Sequence, residues 1–214
     1  MLKIGVLVSG NGTNLQSILD SCESDKFAEV SVVLSNRADA YALKRAESKG
    51  VPTRVISHKD CPDRATFDRE LINILNEFEV GLVALAGFMR ILTGEFLRAF
   101  PGRVMNIHPA LLPSFPGLEV RQAAIDYGVR FSGCTVHFVD EDVDTGPIII
   151  QAVVPVYPED SEEELKHRIL KQEHKIYPEA IKLFAQGRLR IEGRKVFIDG
   201  LGKDESQWLT NPSL

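Results

Sequence analysis

Ile4-Gly5-Val6-Leu7-Val8-Ser9-Gly10-Asn11-Gly12-Thr13-Asn14-Leu15 opens the chain with an apolar run, a turn carrying two glycines and the first apolar position of a new pattern. The run is continuous and not alternating, which is what a strand buried on both faces requires. Leu15, Ile18, Leu19 and Cys22 then recur at helical spacing, so the turn joins a strand to an amphipathic helix. A helix start collects unpaired N–H groups and the positive end of the dipole, which suits an anion. Three readings of the turn stand at this point: a phosphate monoester site, a dinucleotide site and a structural turn. The dinucleotide fingerprint is incomplete, because Leu15 stands where its third small residue belongs. Residues 30–34, the next strand, end in Ser35-Asn36-Arg37 with no acid for a ribose diol. The Gly-Lys-Ser/Thr ending of a triphosphate loop is also missing.

The alternation continues outward from that unit. Residues 39–49 read as a helix closed by Gly50, residues 53–56 as a short strand, and residues 64–78 as a helix with Phe67, Leu71, Ile74, Leu75 and Phe78 on one stripe. Residues 80–85 form another buried strand, 95–99 a brief helix, 104–108 a strand and 119–127 a helix stopped by Gly128. Strands are expected at 134–139 and 148–156. Ser161-Glu162-Glu163-Glu164 is a capping box opening a long helix, bent at Pro178 and ended by Gly187. Residues 189–192 and 195–198 make a terminal hairpin, with a loose tail at 203–214. Strands alternating with helices specify an α/β domain with a doubly wound, mostly parallel sheet.

Chemistry concentrates in Asn106-Ile107-His108-Pro109-Ala110-Leu111-Leu112-Pro113-Ser114-Phe115-Pro116-Gly117. Strand alternation puts Asn106 and His108 on one face, and the prolines forbid a helix immediately after. An amide that cannot titrate sits beside a side chain that titrates near neutrality; together they suit a developing oxyanion. Satisfying loop backbone is the competing reading of the pair. The segment Phe88-Met89-Arg90-Ile91-Leu92 follows a strand and offers either a slot for a flat ring or an ordinary covering loop. In Asp140-Glu141-Asp142-Val143-Asp144-Thr145-Gly146 the acids are spaced poorly for calcium. A solvated turn is the default reading of this loop, and the remaining one has a single acid, Asp144, turned inward to pair with His108. His137, on the preceding strand, reads as a structural histidine.

Lysine and arginine total 25 against 30 acidic residues, a net charge of −5, with 44% hydrophobic and 26% charged residues. That balance suits a globular protein and argues against a nucleic-acid surface. Cys22, Cys61 and Cys134 are odd in number and form no C-x-x-C pair, which disfavours a zinc site or disulfide framework and fits a reducing cytoplasm. No apolar run is long enough to span a membrane.

Taken together, Ser9-Gly10-Asn11-Gly12-Thr13-Asn14, Leu85-Ala86-Gly87-Phe88-Met89-Arg90, Asn106-Ile107-His108-Pro109-Ala110-Leu111-Leu112-Pro113 and Asp142-Val143-Asp144-Thr145-Gly146 resemble, in order, the phosphoribosylglycinamide formyltransferase family of purine synthesis. The resemblance runs from residue 3 to about residue 190. It implies a Rossmann-like formyltransferase fold in one domain, with residues 1–100 the phosphate-binding half and 101–200 the catalytic and folate-binding half. It implies transfer of the formyl group of 10-formyltetrahydrofolate, a co-substrate, to the primary amine of 5-phosphoribosylglycinamide, without metal. Asn106, His108 and Asp144 would be catalytic. Gly12, Thr13, Asn14 and Glu173 would hold the ribonucleotide, and Arg64, Met89, Arg90, Ile91, Leu92, Asp140 and Asp144 would line the folate site. Arg121 departs from the pattern, standing where relatives usually carry a histidine. The implied partners are small molecules, with no nucleic acid or membrane, and the implied state is a monomer or weak homodimer.

Overall fold

A computed structural model describes residues 1–200; the tail expected at 203–214 lies outside them. In chain order the elements are β1 (Leu2–Val8), α1 (Thr13–Asp25), β2 (Ala28–Ser35), α2 (Tyr41–Ser48), β3 (Thr53–Val55), α3 (Arg64–Glu77), β4 (Leu82–Leu85), α4 (Gly94–Ala99) and β5 (Val104–His108). They are followed by α5 (Val120–Tyr127), β6 (Phe131–Phe138), β7 (Ile148–Pro155), α6 (Glu162–Ala185), β8 (Leu189–Glu192) and β9 (Lys195–Ile198). All strands join one sheet, in the order β3-β2-β1-β4-β5-β6-β7-β9-β8.

From β3 to β5 every neighbour is parallel, because each connection carries a helix long enough to cross back over the sheet. The chain first winds outward from β1 to β3, then returns to lay β4 on the other side of β1. The carboxyl ends of β1 and β4 therefore diverge, and the crevice between such strands is where open α/β sheets take ligands. Beyond β5 the pairing is antiparallel, β5 with β6 and β6 with β7. The loop at 139–147 contains no helix, so β7 can only return beside β6 in the opposite direction. The hairpin of β8 and β9 attaches through one parallel pair, Ile148 with Lys195.

Both faces of the parallel strands are covered. Ile4, Val6 and Val8 meet Leu15 and Ile18 of α1 and Tyr177 and Ile181 of α6, while Leu7 meets Phe67, Leu71 and Leu75 of α3 on the other face. This explains the unbroken apolar run that opens the chain. Helix α6 starts on the expected capping box, Ser161 Oγ accepting from the Glu164 N–H and Glu164 returning to the Ser161 N–H. It continues through Pro178, held by the Tyr177 hydroxyl, which donates to the Leu85 and Met105 carbonyls at 3.0 Å each. Two helices start later than the sequence pattern suggests. Ala40 is extended before α2, and Glu119 is left-handed before α5, so neither flanking residue joins the helical run.

Candidate active site

Strand β5 delivers Asn106 and His108 to one face, as alternation requires. Across the antiparallel pair Asn106 lies opposite His137 and His108 opposite Thr135. Asp144 arrives from the loop after β6, in the left-handed region at φ 57°, which turns its carboxylate back toward β5. One of its oxygens, Oδ2, is 3.3 Å from His108 Nδ1 and accepts the Gly117 N–H at 2.9 Å. The other, Oδ1, is 3.7 Å from His137 Nε2. His108 Nε2 donates to the Phe115 carbonyl at 2.8 Å. Both ring nitrogens of this buried histidine thus face oxygen acceptors, which a ring with two N–H groups satisfies.

His137 is arranged in the opposite sense. Its Nδ1 donates to its neighbour's carbonyl, Phe138 O, at 2.8 Å. That tautomer leaves Nε2 as the acceptor of the Asn106 amide, 3.3 Å away. Burial pushes the His137 pKa down, against the opposing pull of the Phe138 carbonyl and Asp144. A neutral His137 pins one N–H of Asn106 and leaves the other to point elsewhere. The loop that follows β5 is tied down as well: Thr135 Oγ1 donates to the Ala110 carbonyl and accepts from the Leu112 N–H, while Gln151 donates to the Leu112 carbonyl.

These groups open onto a cavity of about 460 Å³ lined by Asn106, His108, His137 and Asp144, and by Met89, Arg90, Ile91, Leu92, Asp140 and Arg121. An apolar wall with a few polar groups is what a flat, partly polar ligand needs. Arg64, the exposed first residue of α3, is outside this lining. Gly12, Thr13 and Asn14 with Glu173 form a second group. Gly12 caps α1 at φ 75° without a side-chain cap, leaving the helix start to an outside acceptor. Asn14 Nδ2 donates to Glu173 Oε2 at 2.7 Å, whereas the buried Asn14 Oδ1 has no partner among the described residues. Glu173 is buried, and desolvation raises its pKa against the pull of Asn14, Arg121 and His108. Ser9 links the groups: its hydroxyl donates to Asn36 Oδ1 at 2.6 Å and accepts the Met89 N–H at 2.8 Å.

Asn106, His108 and Asp144, singled out in the sequence, line one cavity, and His137, read there as structural, touches Asn106. Sequence reasoning left Arg121 without a role. The structure puts Arg121 on the cavity wall, donating through Nε and Nη2 to Glu162 Oε1 at 3.2 and 3.1 Å. The carbonyl of Phe115 and the N–H of Gly117 carry no side-chain signal to read. Among the described residues, no group of three or more histidine, cysteine or acidic side chains is placed to hold a metal ion.

A doubly wound α/β sheet carrying an amide and an imidazole–carboxylate pair on one cavity has the make-up of an α/β enzyme. Residues 2–181 match the formyl transferase family model, and the chain belongs to the formyl transferase family, a family of transferases. Its relatives include the phosphoribosylglycinamide formyltransferases of Haemophilus influenzae, 47% identical over 94% of this chain and 95% of that one, and of Escherichia coli, 44% identical over 93% and 94%. Among solved structures, glycinamide ribonucleotide transformylase 1 from Symbiobacterium toebii superposes with a TM-score of 0.91 at 55% identity, covering 92% of this chain and 94% of that chain.

Proposed function

We propose that this chain transfers the formyl group of 10-formyltetrahydrofolate to the primary amine of 5-phosphoribosylglycinamide, in de novo purine synthesis. The observation that carries the reading is the meeting of Asn106, His108 and Asp144 at one cavity wall, supported by the near full-length similarity to phosphoribosylglycinamide formyltransferases. The amine attacks the formyl carbon, a C–N bond forms, and the carbonyl electron pair moves onto oxygen. The free N–H of Asn106 donates to that oxyanion. The Nε2–H of His108, given to the Phe115 carbonyl without ligand, is the donor that the oxyanion takes over. Collapse of the tetrahedral centre breaks the bond to the folate nitrogen. That nitrogen gains the proton that the attacking amine loses, with His108 as the relay and Asp144 holding its ring.

Gly12, Thr13, Asn14 and Glu173 hold the ribonucleotide in this reading. Met89, Arg90, Ile91, Leu92, Asp140 and Asp144 hold the folate, with Arg64 at the outer end. The test is a purified-protein assay with both substrates. Formyl transfer that needs the ribonucleotide is the expected result, and rapid formate release from the folate alone overturns it in favour of a hydrolase. Asn106→Ala, His108→Ala and Asp144→Ala are each expected to reduce kcat by roughly a hundredfold or more.

A further inference from the structure

Helix α2 belongs to neither ligand group named above, yet it is built against the phosphate loop. The N–H of Ala42 donates to the Gly10 carbonyl at 3.1 Å. One residue on, the Arg45 guanidinium takes hold of Asn11 at two points: Nε donates to its carbonyl at 2.9 Å and Nη2 to its side-chain Oδ1 at 3.2 Å. A third donor, Nη1, reaches Gln16 Oε1 on α1 at 3.3 Å. The guanidinium carbon lies 5.0 Å from the Tyr41 ring centroid, which restrains the plane of the fork. Gly12 closes the contact, since a Cβ there would stand 2.5 Å from Ala42 Cβ.

The consequence follows from peptide planarity. In a trans peptide the C=O and the next N–H point in opposite directions. With the Gly10 and Asn11 carbonyls both drawn toward α2, the N–H groups of Asn11 and Gly12 are aimed away from it, and the start of α1 that follows them has no side-chain cap. Successive N–H groups turned to one side make a concave anion nest. We propose that Arg45 is a positioning residue for the phosphate subsite, holding the Asn11 peptide so that the nest is shaped before a phosphate monoester arrives. This rests on the assignment of the loop to phosphate in the functional reading. Arg45 itself is spent on the loop and does not need to touch the ligand.

Arg45→Ala and Arg45→Lys separate the fork from its charge, because lysine keeps the charge as a single point donor. Each is assayed for KM toward the ribonucleotide, KM toward the formylfolate, kcat, and competitive inhibition by inorganic phosphate, with Tm as a check on folding. Arg45→Ala is expected to raise the ribonucleotide KM and the phosphate inhibition constant by about tenfold, with much smaller changes in folate KM and kcat. Arg45→Lys is expected to stay close to Arg45→Ala. Full recovery in Arg45→Lys overturns the proposal in favour of charge alone, and an unchanged ribonucleotide KM in Arg45→Ala overturns it outright. Equal losses toward both substrates, with a lowered Tm, overturn it in favour of a merely structural arginine. Should the unmodified protein transfer nothing to the ribonucleotide, the functional reading is what fails. Calorimetric titration with inorganic phosphate then still tests Arg45, weaker binding in Arg45→Ala supporting it and equal binding overturning it.

Discussion

His137 and Glu173 are both buried titratable groups, and burial moves them in opposite directions. For His137 the pKa is lowered from 6.5 in the folded state, so the unfolded chain takes up the proton first. Its contribution to stability is present above about pH 6.5 and is lost as pH falls toward the folded value. Urea denaturation between pH 7.5 and 5 is expected to show this loss, with a shallower acid-side slope in His137→Gln, whose oxygen still accepts from Asn106. An unchanged slope contradicts a neutral His137. For Glu173 the pKa is raised from 4.5, so its favourable contribution is full below about pH 4.5 and lost as pH rises through the folded value. Burial makes the charged form of this carboxylate costly. Glu173→Gln retains an acceptor for Asn14 and removes the charge. It is expected to raise Tm at pH 7 by about 2–4 °C while raising the ribonucleotide KM about tenfold; calorimetry and steady-state kinetics check the two halves separately.

At the scale of elements, the turn between β1 and α1 is the most constrained piece. Gly12 combines a left-handed backbone with a methyl-sized clash against Ala42 of α2, so Gly12→Ala meets both backbone strain and steric overlap. It is expected to lose about 1–3 kcal/mol of stability and to raise the ribonucleotide KM more than the folate KM, as chemical denaturation and kinetics would show. This turn was legible locally, since strand, glycines and helix are neighbours in sequence. So was α6, whose capping box and apolar stripe lie within one run of residues. The antiparallel turn taken at β6 was less visible. Nothing in residues 131–138 states the direction of pairing: β6 lies antiparallel to β5 although α5 falls between them, and only the return of β7 beside β6 follows from a helix-free loop.

Across the whole molecule, Tyr177 joins the longest helix to the two strands that end at the site. Its hydroxyl serves the Leu85 and Met105 carbonyls, one at the end of β4 and one just before Asn106. Tyr177→Phe keeps the ring and leaves both buried carbonyls without that donor. It is expected to lower stability by about 1–3 kcal/mol, measured by urea unfolding, with kcat falling further than the loss of folded protein explains if β5 is loosened. The same long-range logic applies to Ser9, where one hydroxyl ties the end of β1 to Asn36 and to the N–H of Met89. The turns after β1 and β4 thereby share a single buried anchor.

Local chemistry alone determined that this chain is an α/β protein, that residues 9–14 turn a strand into a helix, and that Asn106 and His108 share a face, because each depends on spacing within a few residues. The inward turn of Asp144 was one of several readings of its acidic loop, and packing against His108 selected it. Tertiary structure decided the rest: that His137 fixes the Asn106 amide, that Phe115 and Gly117 supply main-chain partners to His108 and Asp144, and that Arg45 holds the Asn11 turn from a different helix. Those contacts depend on cross-strand register and on which helix packs where. Both are set by burying apolar surface over the entire sheet, and no short stretch of residues encodes them.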